Sequence, residues 1–278
     1  VNIKKTLTVL FLIILFPVFG VTETLKGYYK NGQLKIESTF KDNKLEGLSK
    51  RYYESGELYS EAYFKDDTLD GIFKAYYRNN NLKKTVTYIN GKKEGVEKTF
   101  YKEGVLKTET SYKNNVIDGL IAKYYLSGKP KRIFNYINGK REGLSKDYYG
   151  SGEVYIEAYY KNDMLDGIFN VYFKNGEVER TVICRKDKRE GIEKTYYENG
   201  KLKSNISYKN DIFDGLFQAF HENGKLKRVV RCKNGKKEGV EKEFNENGII
   251  KKIITYENHK VVSIKEYDEL GNLIKEKK

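Results

Sequence analysis

An acidic residue followed by glycine returns every 24 residues, at Gly47, Gly71, Gly95, Gly119, Gly143, Gly167, Gly191, Gly215 and Gly239, without a slip. A fixed period of this length marks a repeat architecture, in which each unit buries its apolar positions only against its neighbours. A compact globular core is not expected. A second glycine column lies nine residues further on, at Gly32, Gly56, Gly104, Gly128, Gly152, Gly176, Gly200, Gly224 and Gly248, with Asn80 its one substitution.

Between the glycines, Tyr, Phe, Val, Ile and Thr alternate with Lys and Glu, the period-two pattern of strands. Each repeat holds two such runs. The first carries an aromatic column at Tyr28, Tyr52, Tyr76, Phe100, Tyr124, Tyr148, Tyr172, Tyr196, Phe220 and Phe244; the second ends on Phe40, Phe64, Tyr88, Tyr112, Tyr136, Tyr160, Cys184, Tyr208, Cys232 and Tyr256. Turn words of the ESGE and ENGK kind separate the runs, and Asn-Gly or related Asn/Asp pairs follow the second. Asn and Gly accept positive φ at low cost, so these pairs favour tight hairpins.

The predicted fold is all-β: an elongated, twisted antiparallel meander of about ten 24-residue β-hairpin repeats in a single layer. At about 4.8 Å per strand, twenty strands reach roughly 100 Å before twist shortens them. The acidic residue alternates between Glu (46, 94, 142, 190, 238) and Asp (70, 118, 166, 214), which points to a unit of two hairpins. Residues 46–73 match 142–169 at 21 of 28 positions, the mark of a block duplication. The array is expected over residues 21–262, closed by a Lys-rich capping tail over 263–278.

The N-terminal segment departs from the repeat. Lys4 and Lys5 precede an unbroken apolar run from Val9 to Phe16, then Pro17 and Gly20. This reads as a secretory signal peptide over residues 1–20 cleaved after Gly20, the run being shorter than the roughly 20 residues of a spanning helix. An uncleaved anchor is the other reading. Export places the chain in the periplasm, at the outer envelope or outside the cell. Losing Lys4 and Lys5 leaves 51 basic against 39 acidic side chains, a net charge of +12.

The recurring words Y-Y-x-N-G-K-L and Y-x-N-G-K-x-E-G resemble the variant MORN repeat (MORN_2) of bacterial proteins, over residues 27 to about 262. The resemblance implies the hairpin-repeat fold. It says less of activity, since members are described mostly as repeat proteins or as putative antitoxin-family proteins. MORN repeats also stand beside phosphoinositide kinase domains in some eukaryotic enzymes. This chain has no Gly-rich phosphate loop with its Lys and no HRD or DFG set.

Period-two alternation places both aromatic columns on one packing face with Leu48, Ile72, Val96 and Leu120. The same parity carries Lys50, Lys74, Lys98, Lys146, Lys194 and Lys242. A lysine ladder beside an aromatic rail suits an anionic glycan, another polyanion or an acidic protein segment, and also peripheral contact with an anionic membrane. The alternative is that the lysine stems cross tyrosine rings while their heads are solvated. Nucleic acid is disfavoured by export. A second rail, Tyr29, Tyr53, Tyr77, Tyr101, Tyr125, Tyr149, Phe173 and Tyr197, fading to His221 and Asn245, points to the opposite face. It is either an exposed recognition strip or cross-strand packing.

The acidic-Gly column reads as turn chemistry, because general acid/base work needs groups in divergent environments and a repeat supplies similar ones. Two His and two Cys are too few and too scattered for a zinc site, so no metal or cofactor is expected. Cys184 and Cys232 fall two repeats apart, roughly 19 Å across four strand spacings, against the 7 Å a disulfide allows. Two free, part-buried thiols are expected. The leading expectation is an exported, non-enzymatic repeat protein that binds a protein or polyanion along its surface by additive contacts. The alternative is an antitoxin or immunity-type protein with one dedicated toxin partner.

Overall fold

The computed structural model describes residues 20–278; the signal-peptide segment lies outside the described residues, Gly20 excepted. The described residues form 23 strands and no helix. Each strand pairs antiparallel with its neighbours in the chain, from Thr22–Tyr28 to Leu273–Lys277, in one open meandering sheet. The strand after the fifth hairpin is interrupted at Glu142, into Lys140–Arg141 and Gly143–Tyr148. The tail also forms a hairpin, pairing Leu273–Lys277 with Lys260–Tyr267.

Two kinds of turn alternate. At one edge, a two-residue loop joins pairs such as Ile89 and Lys92. Both loop residues have positive φ: Asn90 at 48° and Gly91 at 74°, Asp66 at 46° and Asp67 at 63°. These are the dihedrals of a type I′ turn, whose twist matches that of the strands. At the other edge, the amide of Gly56 donates to the Tyr53 carbonyl and that of Tyr53 to Glu57, closing a wider turn on a glycine at φ 100°. Asn80 fills the same role at φ 64°, as Asn can.

The acidic-Gly step is a bulge. Ser38 pairs with Ser49 and Phe40 with Leu45, so three residues, Glu46 to Leu48, stand opposite Thr39 alone. The carboxylates of Glu46, Glu94, Glu142 and Glu190 accept from the amides of Asp66, Asn114, Asn162 and Asn210, tying each bulge to the I′ turn of the next hairpin. The glycines behind the Asp positions sit differently. A Cβ on Gly167 would meet the Tyr159 Cβ at 2.7 Å, whereas around Gly191 there is open space. The 48-residue unit therefore has a physical basis: four of the five Glu bulges bond onward, and Asp bulges lie tight on the neighbouring strand.

The register corrects the assignment of faces. Arg51 pairs with Ser60 and Gly47 with Phe64, odd-numbered with even-numbered positions, so a shared parity does not survive the hairpin. The two aromatic columns lie on opposite faces. Phe64, Tyr88, Tyr208 and their equivalents share the packed face with the Ser49 and Ala62 columns. Tyr52, Tyr76 and theirs share the open face with Leu48, Ile72, Val96 and Leu120.

The buried residues follow from having one layer. Apart from Ala122, every one lies on the packed face, and most are small: Ser38, Ser49, Ser60, Ala62, Ala75, Val86, Ala158 and Val182 among them. With no second layer to cover it, a side chain is buried only where taller neighbours on the same face close over it. Phe73, directly opposite Ala62 and Val86, does this, its ring edge-on to Tyr88 at 6.5 Å.

Candidate interaction surface

The lysine ladder lies on the open face, and half of it is neutralised. Lys74 pairs with Glu61 at 3.1 Å, Lys98 with Glu109 at 3.0 Å and Lys146 with Glu157 at 2.8 Å. Each carboxylate also accepts a tyrosine hydroxyl, from Tyr76, Tyr124 and Tyr172. For Glu109 and Glu157 the lysine is the main influence, holding the carboxyl below its ordinary value against the effect of burial. Burial, with the adjacent Glu61, pushes the Tyr76 phenol up to about 12. Lys50 stands opposite Glu37 and Glu61. Lys194 and Lys242 face Thr181, Asn205, Val229 and Ile253, with no acid directly across the strands.

The second tyrosine rail is tied into the fold. The hydroxyls of Tyr29, Tyr53, Tyr77, Tyr101, Tyr125, Tyr149 and Tyr197 donate to the carbonyls of Tyr52, Tyr76, Phe100, Tyr124, Tyr148, Tyr172 and Phe220, at 2.7–2.9 Å. All seven are half-buried. Lysines roof several rings, such as Lys107 over Tyr101 at 5.5 Å and Lys131 over Tyr125 at 5.4 Å. The rail is thus cross-strand packing, which the sequence could not separate from an exposed strip because the acceptors are backbone carbonyls.

What the open face does present is apolar. Ile72, Val96, Leu120, Ile168, Ile192, Leu216 and Val240, one per repeat, keep 41–55% of their surface exposed. Tyr63, Tyr159 and Ile183, directly opposite Leu48, Leu144 and Ile168, widen the stripe and are 44–50% exposed. An outer column of exposed cations runs beside it at Lys41, Lys65, Lys113, Lys161, Arg185, Lys209 and Lys233, interrupted by Ile89 and Ile137. Opposite the other members stand Thr87, Ser111, Asn135, Ser207, Arg231 and Thr255, so the aliphatic column recurs once per hairpin with polar residues between. Exposed apolar side chains rimmed by polar ones are characteristic of binding faces.

Sequence reasoning missed a set of acids on the packed face. Glu241 is fully buried, and its carboxylate accepts from Arg228, from Lys237 at 2.8 Å and from the Tyr256 hydroxyl at 2.8 Å. Burial would raise this carboxyl, but these partners outweigh it and hold it below its ordinary value. Glu97 lies between Lys84 and Lys93 in the same way, and Glu193 faces Arg180 and Arg189 at 3.9 and 3.7 Å. The signal was present: each of the three stands in a column that elsewhere holds Phe73, Ile121, Phe169 and Phe217 or the small Ser49 and Ser145, with a cation four residues earlier.

Cys184 is buried and Cys232 half-buried, each unpaired, on Val178–Arg185 and Leu226–Lys233, four strands apart. Burial pushes both thiols up, which disfavours the reactive thiolate.

The family MORN_2, described as MORN repeat variant, matches residues 24–42, 45–66, 69–90, 93–114, 141–162, 189–210, 213–234 and 237–258. No curated protein matches the chain. Among solved structures, the crystal structures of TcdB2-TccC3 and TcdB2-TccC3-Cdc42 are similar at 12% identity and a TM-score of 0.20. The likeness covers 91% of this chain but 17% of those.

Proposed function

Since the chain belongs to the MORN repeat variant family, we propose that it is an exported, non-enzymatic scaffold that binds a partner protein along the open face. The exposed apolar column carries this reading. Seven half-exposed aliphatic side chains recur at one position per hairpin, beside an outer row of lysines and arginine. The partner that fits is a protein segment with apolar side chains facing the column and acidic ones reaching that row. Contacts repeated along the array add, so a long partner gains affinity through multivalency. The polyanion reading is weakened because Lys74, Lys98 and Lys146 already hold carboxylates. Export rests on the basic and apolar start of the sequence, Lys4 to Phe16.

The test is capture from envelope and extracellular extracts on the immobilised chain, wild type against an Ile72→Asp/Ile168→Asp/Ile192→Asp variant. These side chains are half-exposed, so the fold is retained, which circular dichroism verifies. A protein held by the wild type at high salt, and at least tenfold less by the variant, is the expected result. Retention of polyanions alone, released equally from both by moderate salt, would replace this reading with the lysine one.

A further inference from the structure

The tyrosine rail is a repeated receptor for a phenol, and at one position its own occupant is missing. In seven repeats the ring hydroxyl crosses to the carbonyl of the residue that closes the following first strand. In five of them a lysine six residues on lies over the ring at 5.4–5.6 Å. His221 still makes the crossing, its Nε2 standing 3.0 Å from the Phe244 carbonyl oxygen. Asn245 does not: its Oδ1 turns back to accept from the amides of Asn247 and Ile249. The carbonyl it would have met is that of Tyr267, which pairs with Leu273 across a bulge as Tyr52 pairs with Leu58. Among the described residues, no side chain donates to that carbonyl. Lys251, six residues after Asn245, occupies the roofing position.

At this point the surface opens into a groove of about 490 Å³, whose walls include His221, Phe244, Asn245, Lys251 and Tyr267. We infer that the groove is a binding site for a tyrosine side chain of a partner polypeptide. Its ring would lie beneath the Lys251 ammonium, where the face of an aromatic attracts a cation. Its hydroxyl would donate to the Tyr267 carbonyl, completing the ladder that Tyr29 begins. At an earlier irregularity of the rail, Phe173 fills the ring position with its own side chain but lacks the hydroxyl, and Glu179 stands where the roofing lysine would be. Its place is occupied and serves as the internal control. The inference rests on the protein-binding reading above, yet the two fail separately: the groove is tested with a single amino acid, the open face with substitutions remote from it.

The probe is N-acetyl-3-fluorotyrosine amide, titrated into the full chain and followed by fluorine NMR. Saturable binding is expected in the wild type and in Phe173→Tyr. Asn245→Tyr supplies the missing side chain, so it should bind at least tenfold more weakly and melt at a higher temperature. The phenylalanine counterpart, fluorinated on the ring, should bind about three- to tenfold more weakly for want of one hydrogen bond. If Asn245→Tyr folds poorly, Lys251→Ala replaces it, with a severalfold loss expected. Absence of saturation, equal binding by Asn245→Tyr, or equal affinity for the two amides would overturn the site. A blocked pentapeptide with the fluorotyrosine at its centre decides the source: binding at least as tight as the amide supports a chain-borne tyrosine. Exclusion of the peptide overturns it in favour of a small free phenol.

Discussion

The two faces of this sheet are built from the same ingredients, a cation, a glutamate and a tyrosine, yet they keep them in different surroundings. On the open face Lys98, Glu109 and Tyr124 meet where Glu109 retains 25% of its side-chain surface. On the packed face Arg228, Lys237, Glu241 and Tyr256 meet where Glu241 retains none. The difference arises from height. The open-face trio spans three adjacent strands beside the exposed aliphatic column. Glu241 sits one position over from it, under longer side chains that reach across from both neighbouring strands. A charge pair that water can reach gains little, because its Coulomb attraction is screened and its side chains lose freedom. A carboxylate without water depends wholly on its partners.

The comparison is broken most severely by removing those partners. Arg228→Met with Lys237→Met preserves the stems that pack on Phe217 and Tyr256 but leaves Glu241 buried without a countercharge. The expected loss is about 3–5 kcal/mol, read from urea unfolding. Adding Glu241→Leu should recover most of it, since an apolar side chain of similar volume needs no partner. A loss that persists in the triple variant would mean that packing, and not the buried charge, separates the faces.

Acid and alkali sharpen the same contrast. Glu241 is buried and Glu97 part-buried, which would raise their carboxyls, but their cationic partners hold both below the ordinary 4.5. A carboxyl lowered by folding contributes stability above its unfolded pKa and loses it as pH falls through the folded one. The thermal midpoint should therefore drop below about pH 4.5, and Glu241→Gln should flatten that limb. The Tyr76 phenol, raised by burial and by Glu61 from 10.0 to about 12, acts in the opposite direction. Its contribution is complete below pH 10.0 and is lost as pH rises towards about 12. Tyr76→Phe should flatten the alkaline limb and, because the Tyr76 hydroxyl also helps hold the Glu61 carboxyl below its ordinary value, relieve a smaller part of the acid limb.

Much of this could be read from the chain because it is local. The spacing of Gly47, Gly71 and their successors gives the hairpins, and Asn-Gly at 90, 138 and 234 gives the I′ turns, each settled by the φ of one or two residues. Face assignment is not local. It depends on how many residues each turn and bulge inserts, and one position more or less at Glu46–Leu48 or at Tyr52 exchanges the faces of everything beyond. The tyrosine rail was visible as a column, but the function of its hydroxyls was not, because Tyr52 O and Tyr76 O leave no trace in the sequence. The site at Asn245 is an intermediate case. The fading of the rail through His221 to Asn245 was visible, and only the direction of the Asn245 side chain turns a substitution into a gap.

The smallest effect belongs to the open face and is the most discriminating. A double-mutant cycle on Lys98→Met and Glu109→Gln should give a coupling of about 0.2–1 kcal/mol that shrinks in high salt. Both side chains are part-solvated, at 45% and 25% exposure, so each can be rehydrated when the other is removed. The Tyr124 hydroxyl, 2.9 Å from Glu109, provides a neutral control in the same trio. Coupling between Tyr124→Phe and Glu109→Gln should survive salt, since one partner is uncharged. If the Lys98 coupling proved large and insensitive to salt, the open face would be shielded from water in solution. The aliphatic column beside it would then be covered already, by a second copy of the chain or by a bound partner.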